Sequence, residues 1–368
     1  MWTIVLIAVC ILMIGSLIYL GSRMSHFPLL GKLAAKNAFG RWLVRLIPLI
    51  LFAGFAVFDF VNSVIILIHL TVFWIVADLL TMLFTKRGKE KKKTEPYVAA
   101  WIAVGACVIY FVIGYFCAHQ VFRKEYTITT AKDLGTQKIR VALIADCHIG
   151  STFDGEGFAK HLAEIEKMKP DVLVIVGDYV DDSSTKEDML RAGQALGEFK
   201  AKYGVYFVYG NHDKGYYNSR SFTADELAEN LRKNGVVILE DETVILTEGV
   251  CLIGRKDRSD RGRKSMAELM EGIDPKLYTI VLDHQPNDYK AEAEAGPDLV
   301  LSGHTHGGQM IPIGLIGRIS GADDRSYGME KRDSTTFLVT SGISCWALDF
   351  KTGTKSEYVI IDLVGNVK

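Results

Sequence analysis

Four long apolar stretches, approximately residues 2–20, 43–59, 62–84 and 97–118, limit what the first third of this chain can fold into. Each is near or above the roughly 20 residues that an α-helix needs to cross a bilayer. Runs such as VNSVIILIHLTVFWIVADLLTMLF are apolar on every face, whereas a helix on a water-soluble domain keeps one polar face. A backbone in hydrocarbon must satisfy its own hydrogen bonds, so these stretches are expected as about four helices, an all-α transmembrane region over residues 1–120. A cleaved signal peptide explains only the first stretch. Even there, Met1 and Trp2 lead straight into apolar residues with no basic segment before them.

Basic residues in the short loops orient the spans. Arg23, Lys32, Lys36 and Arg41 lie between the first and second, and TKRGKEKKK lies between the third and fourth. The join between the second and third has none. The positive-inside rule puts both basic loops in the cytoplasm, so everything after the fourth span is expected to face outward. Arg123, Lys124, Lys132 and Lys138 follow that span and weigh against this orientation. The lysine-rich loop near residues 86–93 is expected to stay solvated beside the membrane and to favour anionic lipids. His69 and Asp78 are ionisable residues inside the spans; with no charged partner evident at matching depth, a structural role is expected for them rather than a transport path.

Past residue 138 the pattern becomes short apolar runs, and five of them stop at residues able to bind a metal. IRVALIA precedes Asp146 and His148, DVLVIVG precedes Asp178, and GVYFVYG precedes Asn211 and His212. LYTIVL precedes Asp283 and His284, and DLVLSG precedes His304 and His306. Each run reads as a buried strand, so these side chains sit at strand ends, where backbone is rigid and side chains can converge. Helical patterns (FAKHLAEIEKM, TKEDMLRAGQALGEFKAKY and ADELAENLRKN) alternate with the strands and suit the cover of a sheet face. Shorter β runs near 236–253 and 336–362 read as hairpins. Residues 121–137 read as a linker, and 138–368, about 230 residues, suffice for one sizeable core.

Imidazoles, carboxylates and a carboxamide oxygen form a borderline donor set, suited to manganese, iron or zinc rather than to calcium or magnesium alone. Two-metal hydrolytic sites hold their ions roughly 3.5–4 Å apart, which demands several ligands and a bridging carboxylate. Gly177, Gly210, Gly303, Gly307 and Gly308 lie where the chain leaves a strand beside a candidate ligand, and positive φ is expected there.

Five blocks carry a resemblance: DCHIG at 146–150, GDYVDD at 177–182, GNHD at 210–213, DHQP at 283–286 and GHTHGGQ at 303–309. In this order they resemble the calcineurin-like metallophosphoesterases over roughly residues 138–365, and in particular a membrane-anchored bacterial subgroup with GHTHGGQ. The resemblance implies an α/β (α+β) four-layer sandwich, two mixed β-sheets flanked by helices, with two divalent metal ions at the sheet edge. It implies that Asp146, His148 and His306 hold the first metal, that Asp178 bridges, and that Asn211, His284 and His304 hold the second. His212 would face the phosphate and protonate the leaving oxygen, oriented by Asp213; a pKa near 6.5 leaves both forms of an imidazole reachable at neutral pH. The implied reaction is hydrolysis of a phosphate ester or pyrophosphate by a metal-bridging hydroxide, with no phosphoenzyme.

Other residues admit plainer readings. His161 lies in an amphipathic helical pattern and reads as a surface histidine. Cys147 alternates away from its ligand neighbours and reads as a packed thiol. Asp181 and Asp182 admit two readings, partners of the ligands or solvated loop acids. GRKDRSDRGRK at 254–264 could grip phosphates or anionic headgroups, or be a solvated loop whose charge is partly offset by Asp257 and Asp260. The six cysteines show no paired spacing that would fix a redox compartment. A net charge of −1 with no basic stripe argues against a nucleic-acid polymer as partner.

Tethering to a bilayer favours a lipid-linked phosphate or pyrophosphate over a freely soluble phosphorylated molecule. The subgroup includes UDP-diacylglucosamine pyrophosphatases, whose cytoplasmic substrate conflicts with the outward orientation; a nucleotide phosphodiesterase is the other enzymatic alternative. A non-enzymatic metal-bound scaffold should lack a ligand or His212, and none is missing. The closing segment SGISCWALDFKTGTKSEYVIIDL keeps Ser341, Gly342 and Glu357 but has Lys351 and Lys355 where the family usually carries an arginine, and it lacks the family's proline. That departure bears on substrate rather than on metal chemistry.

Overall fold

The structure is a computed structural model of the full chain that describes residues 2–84, 97–215 and 220–365. It divides into two compact units, Met1–Ile113 and Gly114–Lys368.

The first unit is helical. It contains α1 (Trp2–Arg23), a 3-10 turn at Met24–His26, α2 (Pro28–Lys36), α3 (Ala38–Ala56), α4 (Phe60–Phe84) and most of α5 (Val98–His119). Pro28 occupies the first turn of α2, where its missing N–H costs nothing, and the Asn37 side chain caps α3 by accepting from the Gly40 N–H. Four of these helices are long and apolar enough to cross a membrane. Their outward faces carry residues such as Ile18, Phe55 and Leu83, which suit hydrocarbon rather than water.

Asp78 departs from expectation. It has a charged partner after all, Arg23, whose Nε lies 3.0 Å from Oδ2, and the Tyr19 and Tyr97 hydroxyls donate to the same carboxylate at 2.8 and 2.7 Å. A carboxylate so satisfied suits a structural tie between α1 and α4. His69 is likewise engaged, its Nδ1 on the Ile65 carbonyl at 2.8 Å and its ring stacked on Tyr110. The lysine-rich loop near 86–93 falls outside the described residues.

The second unit is built on two six-stranded sheets. The chain runs β1 (Phe122–Thr130), β2 (Lys138–Ile144), α6 (Gly155–Glu166), β3 (Val172–Val176), α7 (Lys186–Glu198), β4 (Val205–Val208), α8 (Ala224–Lys233) and β5 (Val236–Ile238). It continues through β6 (Glu242–Thr247), β7 (Val250–Gly254), α9 (Met266–Met270), β8 (Tyr278–Leu282), α10 (Tyr289–Ala295) and β9 (Leu299–Ser302). A 3-10 turn at His306–Gly308, α11 (Ile313–Ser320), β10 (Gly328–Arg332), β11 (Thr335–Val339) and β12 (Glu357–Gly365) complete it. One sheet has the order β1-β12-β2-β3-β4-β5 and the other β10-β11-β9-β8-β7-β6. Both mix parallel and antiparallel pairs.

The central strands read as unbroken apolar runs because both of their faces are buried. Val141, Val174, Leu252, Ile280, Leu301 and Val359 fill the space between the sheets. Phe158, Leu162, Met189, Leu196 and Leu227 seal α6, α7 and α8 onto the outer face of the first sheet, and Met266 and Tyr289 do the same for α9 and α10 on the second. This is the expected four-layer α/β sandwich. Side-chain caps start the helices: Asp154 for α6, Thr185 for α7, and reciprocal boxes of Thr223 with Glu226 and of Ser265 with Glu268 for α8 and α9.

Two local expectations are corrected. Residues 122–130, read as linker, form edge strand β1, parallel to β12; their alternating half-buried pattern lacks the apolar run that signals a central strand. Residues 336–362 are not a hairpin, since β11 and β12 lie in different sheets and the segment between them crosses from one to the other. The hairpin is β10–β11, while in the earlier run only β6–β7 pair as one and β5 joins the first sheet beside β4.

Candidate metal centre

Every expected ligand lies just past the end of a strand: Asp146 and His148 after β2, Asp178 after β3, Asn211 and His212 after β4, His284 after β8, His304 and His306 after β9. Their side chains converge in two groups. Ligand atoms of Asp146, His148 and His306 lie within 4.8 Å of one another, and so do those of Asp178, His284 and His304. Oδ2 of Asp178 lies 3.1 Å from Nε2 of His284 in its own group and 3.7 Å from Nε2 of His148 in the other. A carboxylate between two ligand groups is what a bridging role requires. Asn211 sits in the turn between Gly210 and His212, and the His212 N–H donates to Asp178 Oδ1 at 2.8 Å.

Three imidazoles are oriented from behind. Nδ1 of His284 donates to the Val176 carbonyl at 2.8 Å, Nδ1 of His306 lies 3.3 Å from the Ser344 carbonyl, and Nδ1 of His148 lies 3.3 Å from Asp181 Oδ2. At His284 and His306 the carbonyl at Nδ1 fixes the proton there and leaves the Nε2 lone pair for an ion, while at His148 the Asp181 carboxylate stands beside Nδ1 as a charge partner. Nε2 of His148 is buried without a hydrogen-bond partner among the described residues, an arrangement that costs free energy unless a cation completes it. These residues therefore fit a pair of divalent ions, and the donor set matches the manganese, iron or zinc class.

Electrostatics point the same way. Burial, reinforced by the charge of Asp178, pushes the Asp146 carboxyl up to about 6, and burial with His284 nearby lowers His304 to about 4. Burial also opposes ionisation of Asp178, but His284 and the neighbouring imidazoles hold it well below the usual range.

Backbone strain collects here. Asp146, His148, Asp178, His304 and His306 all adopt positive φ, between 37° and 68°, although none is glycine. Such conformations persist where surrounding structure dictates them, and they cluster at functional sites. Of the glycines expected at positive φ, Gly177, Gly307 and Gly308 have it. Gly210 and Gly303 do not, and space explains them: a Cβ on Gly210 would collide with the Asp178 carboxylate, and one on Gly303 with that of Asp146.

The His212 ring lies 5.2 Å from the His148 ring and 5.0 Å from that of Trp346. Asp213, expected to orient it, accepts from four backbone N–H groups, those of Asp178, Tyr179, Val180 and Gly210, at 2.7–3.1 Å. Its carboxylate thus clamps the β3 and β4 loops together, and it bears on His212 through that backbone.

Asp181 is buried against His148, while Asp182 is partly exposed. Cys147 is a buried core thiol, and half-buried His161 packs on Phe153. The basic loop divides: Arg255 is buried with Asp283, Asp288 and Glu292, and Arg263 pairs with Asp283, whereas Arg258 and Arg261 are exposed. Both Asp257 oxygens accept from Gln285. Much of this segment therefore braces the DHQP strand end internally. Trp346 had no motif to announce it.

Residues 139–308 match the calcineurin-like phosphoesterase family. An uncharacterized metallophosphoesterase of Aquifex aeolicus is 31% identical over 249 residues, covering 66% of this chain and 91% of that protein. The chain belongs to the calcineurin-like metallophosphoesterases. An uncharacterized metallophosphoesterase of Campylobacter jejuni is 24% identical over 306 residues, 81% of this chain and 78% of that protein. A bovine transmembrane protein with metallophosphoesterase domain is 30% identical over 239 residues, 60% of this chain and 51% of that protein. Among solved structures, a dimetal phosphatase from Danio rerio aligns over 55% of this chain and 86% of that one, with 11% identity and a TM-score of 0.37. Membership makes the protein a metal-dependent phosphoester hydrolase, and the two groups are the candidates for its metal ligands.

Proposed function

We propose that this metallophosphoesterase hydrolyses a phosphate ester or pyrophosphate carried by a lipid, presented at the bilayer that its apolar helices cross. The observation that carries the reading is the joining, in one chain, of two candidate ligand groups, one of which includes Asp178, with four helices of membrane-crossing length and composition. A soluble phosphate needs no such tether.

Asp146, His148 and His306 would hold one ion, His284, His304 and Asn211 the other, and Asp178 both. Two divalent ions, when bound, would supply charge to hold a phosphate and would acidify water in the site. The strand-end backbone keeps every ligand in position before substrate arrives, so little reorganisation accompanies the reaction. His212 would donate a proton to the leaving oxygen, with Asp213 holding its loop and Trp346 against its ring. The basic loops between spans support an extracytoplasmic catalytic unit.

The test uses full-length protein with manganese in vesicles and compares a lipid phosphate, para-nitrophenyl phosphate, its bis-ester and a nucleotide diester. Release from the lipid is expected, with a loss of about a hundredfold or more in His212→Ala. Turnover of the nucleotide diester with none of the lipid would overturn the substrate reading, and an unimpaired His212→Ala would remove the proton donor.

A further inference from the structure

Helix α11 follows the turn that carries His306 after the four residues 309–312, and it has no buried residue. Ile311, Ile313, Leu315, Ile316 and Ile319 are all exposed, Ile319 at 77% and Ile316 at 58%. A globular domain in water does not keep such a cluster uncovered without use. The segment MIPIGLIGRISGA, residues 310–322, has one charged side chain, Arg318, and no acid.

Hydrogen bonds connect this segment to the tail of a span. The unit Gly114–Lys368 includes the last turns of α5, the fourth apolar helix. The Lys351 N–H donates to the Gly114 carbonyl at 2.9 Å, and Ser356 donates through N and Oγ to the carbonyls of Cys117 and Ala118 at 2.8 and 2.7 Å. The same loop holds the approach to α11: the Thr352 N–H donates to the Gln309 carbonyl at 2.8 Å, and the Ile311 N–H to Thr352 Oγ1 at 3.2 Å. The helix is therefore fixed within a few residues of chain that belongs to a membrane-crossing segment. A cavity of about 330 Å³, lined by Gly307, Gly308, Leu315, Arg318 and Tyr327, reaches from α11 to the residues after His306.

We propose that α11 is a membrane-contacting helix of the catalytic unit. Its isoleucines and leucine enter the acyl boundary of an anionic bilayer, Arg318 meets the headgroups, and the cavity behind it admits a headgroup toward the metal centre. The apolar face and the bond path to α5 carry the contact itself. Delivery of substrate through the cavity rests on the lipid-phosphate reading above. An amphipathic helix of this kind buries its apolar side roughly 5–10 Å into the headgroup region, and basic residues add affinity for anionic lipid.

The experiment places one fluorophore on Ile316→Cys or Ile319→Cys of the full-length protein, with Cys10→Ser and Cys117→Ser to remove the less buried thiols. The protein is reconstituted in phosphatidylcholine vesicles with phosphatidylglycerol, with and without spin-labelled lipid, and Lys290→Cys serves as an exposed control. Emission at 316 and 319 is expected to be at least halved by the spin-labelled lipid, with the control unchanged. Emission as insensitive as the control would overturn the proposal, and so would disulfide cross-linking between two copies at 316 without quenching, since a second copy would then be the occupant. Quenching together with no release of phosphate from any lipid would uphold the contact and sink the substrate reading, so the two failures are distinguishable.

Discussion

Oδ2 of Asp181 lies 3.3 Å from Nδ1 of His148, and both side chains are buried. Asp181 is itself fixed by the N–H and hydroxyl of Ser183 at 2.8 and 2.6 Å. A carboxylate behind a ligating imidazole fixes its tautomer and raises its basicity, and removing such a partner typically weakens metal binding about 10–100-fold. Asp181→Asn is therefore expected to lower affinity for the first ion by about that factor, with an unchanged circular dichroism spectrum. Calorimetric titration with manganese measures it; wild-type affinity in the variant would show that His148 needs no such partner.

Gly303 stands against Asp146 with no room for a side chain, although its backbone conformation is open to any residue. Overpacking of this kind commonly costs about 1–3 kcal/mol. Gly303→Ala is expected to shift Asp146, reducing bound metal and activity more than thermal stability. Metal analysis beside a melting curve checks this, and a variant that keeps its full metal complement would refute it.

The convergence of these side chains was legible because candidate ligands at strand ends appear in sequence as apolar runs stopped by histidine and acid. Asp178 and His284 are far apart in sequence yet each closes such a run. The helices over the sheets were legible from their spacing, and the spans from their length. What was not legible depends on contacts that leave no local period. The Arg23–Asp78 pair joins distant helices, β1 is an edge strand without an apolar run, and Asp213 serves backbone groups from another loop. Gly210 and Gly303 looked like turn glycines but are required by side chains arriving from elsewhere. The exposed face of α11 could not be told from a buried one in sequence, because both are apolar.

Glu292 gives the stability of the catalytic unit a pH dependence of known sign. Burial, followed by the charge of Asp283 and a hydrogen bond with it, holds the Glu292 carboxyl well above its usual range, against the opposing pull of Arg255. Below the unfolded pKa, near 4.5, folded and unfolded states both keep the proton and the contribution is whole. As pH rises past it, the unfolded state releases the proton while the folded state retains it, so stability falls until the folded pKa is reached. Glu292→Gln removes this slope. The variant is expected to gain on wild type in melting temperature as pH rises above the unfolded pKa, whereas a constant difference at every pH would assign the effect to packing.

Lys351 is fully buried, and its ammonium donates to the carbonyls of Ser341 and Gly342 at 2.5 and 3.3 Å. Those residues begin the segment that crosses between sheets behind the metal centre: the Ser344 N–H donates to the Asp146 carbonyl at 3.2 Å, and Gly342 abuts the Asp146 side chain. Glu357 closes the same turn, accepting from Thr340 Oγ1 at 3.1 Å and from the Tyr327 hydroxyl at 2.8 Å. Lys351 is thus a brace for Asp146. Lys351→Met keeps most of the volume and takes the lysine donor from the buried Ser341 carbonyl, while the Gly342 carbonyl keeps the Glu357 N–H at 2.9 Å; the loss costs about 1–3 kcal/mol. A matching fall in the urea midpoint of full-length protein in detergent is expected, together with weaker binding of the first ion. Lys351→Met with native midpoint and native metal affinity would mean that the 341–344 segment holds Asp146 without this brace.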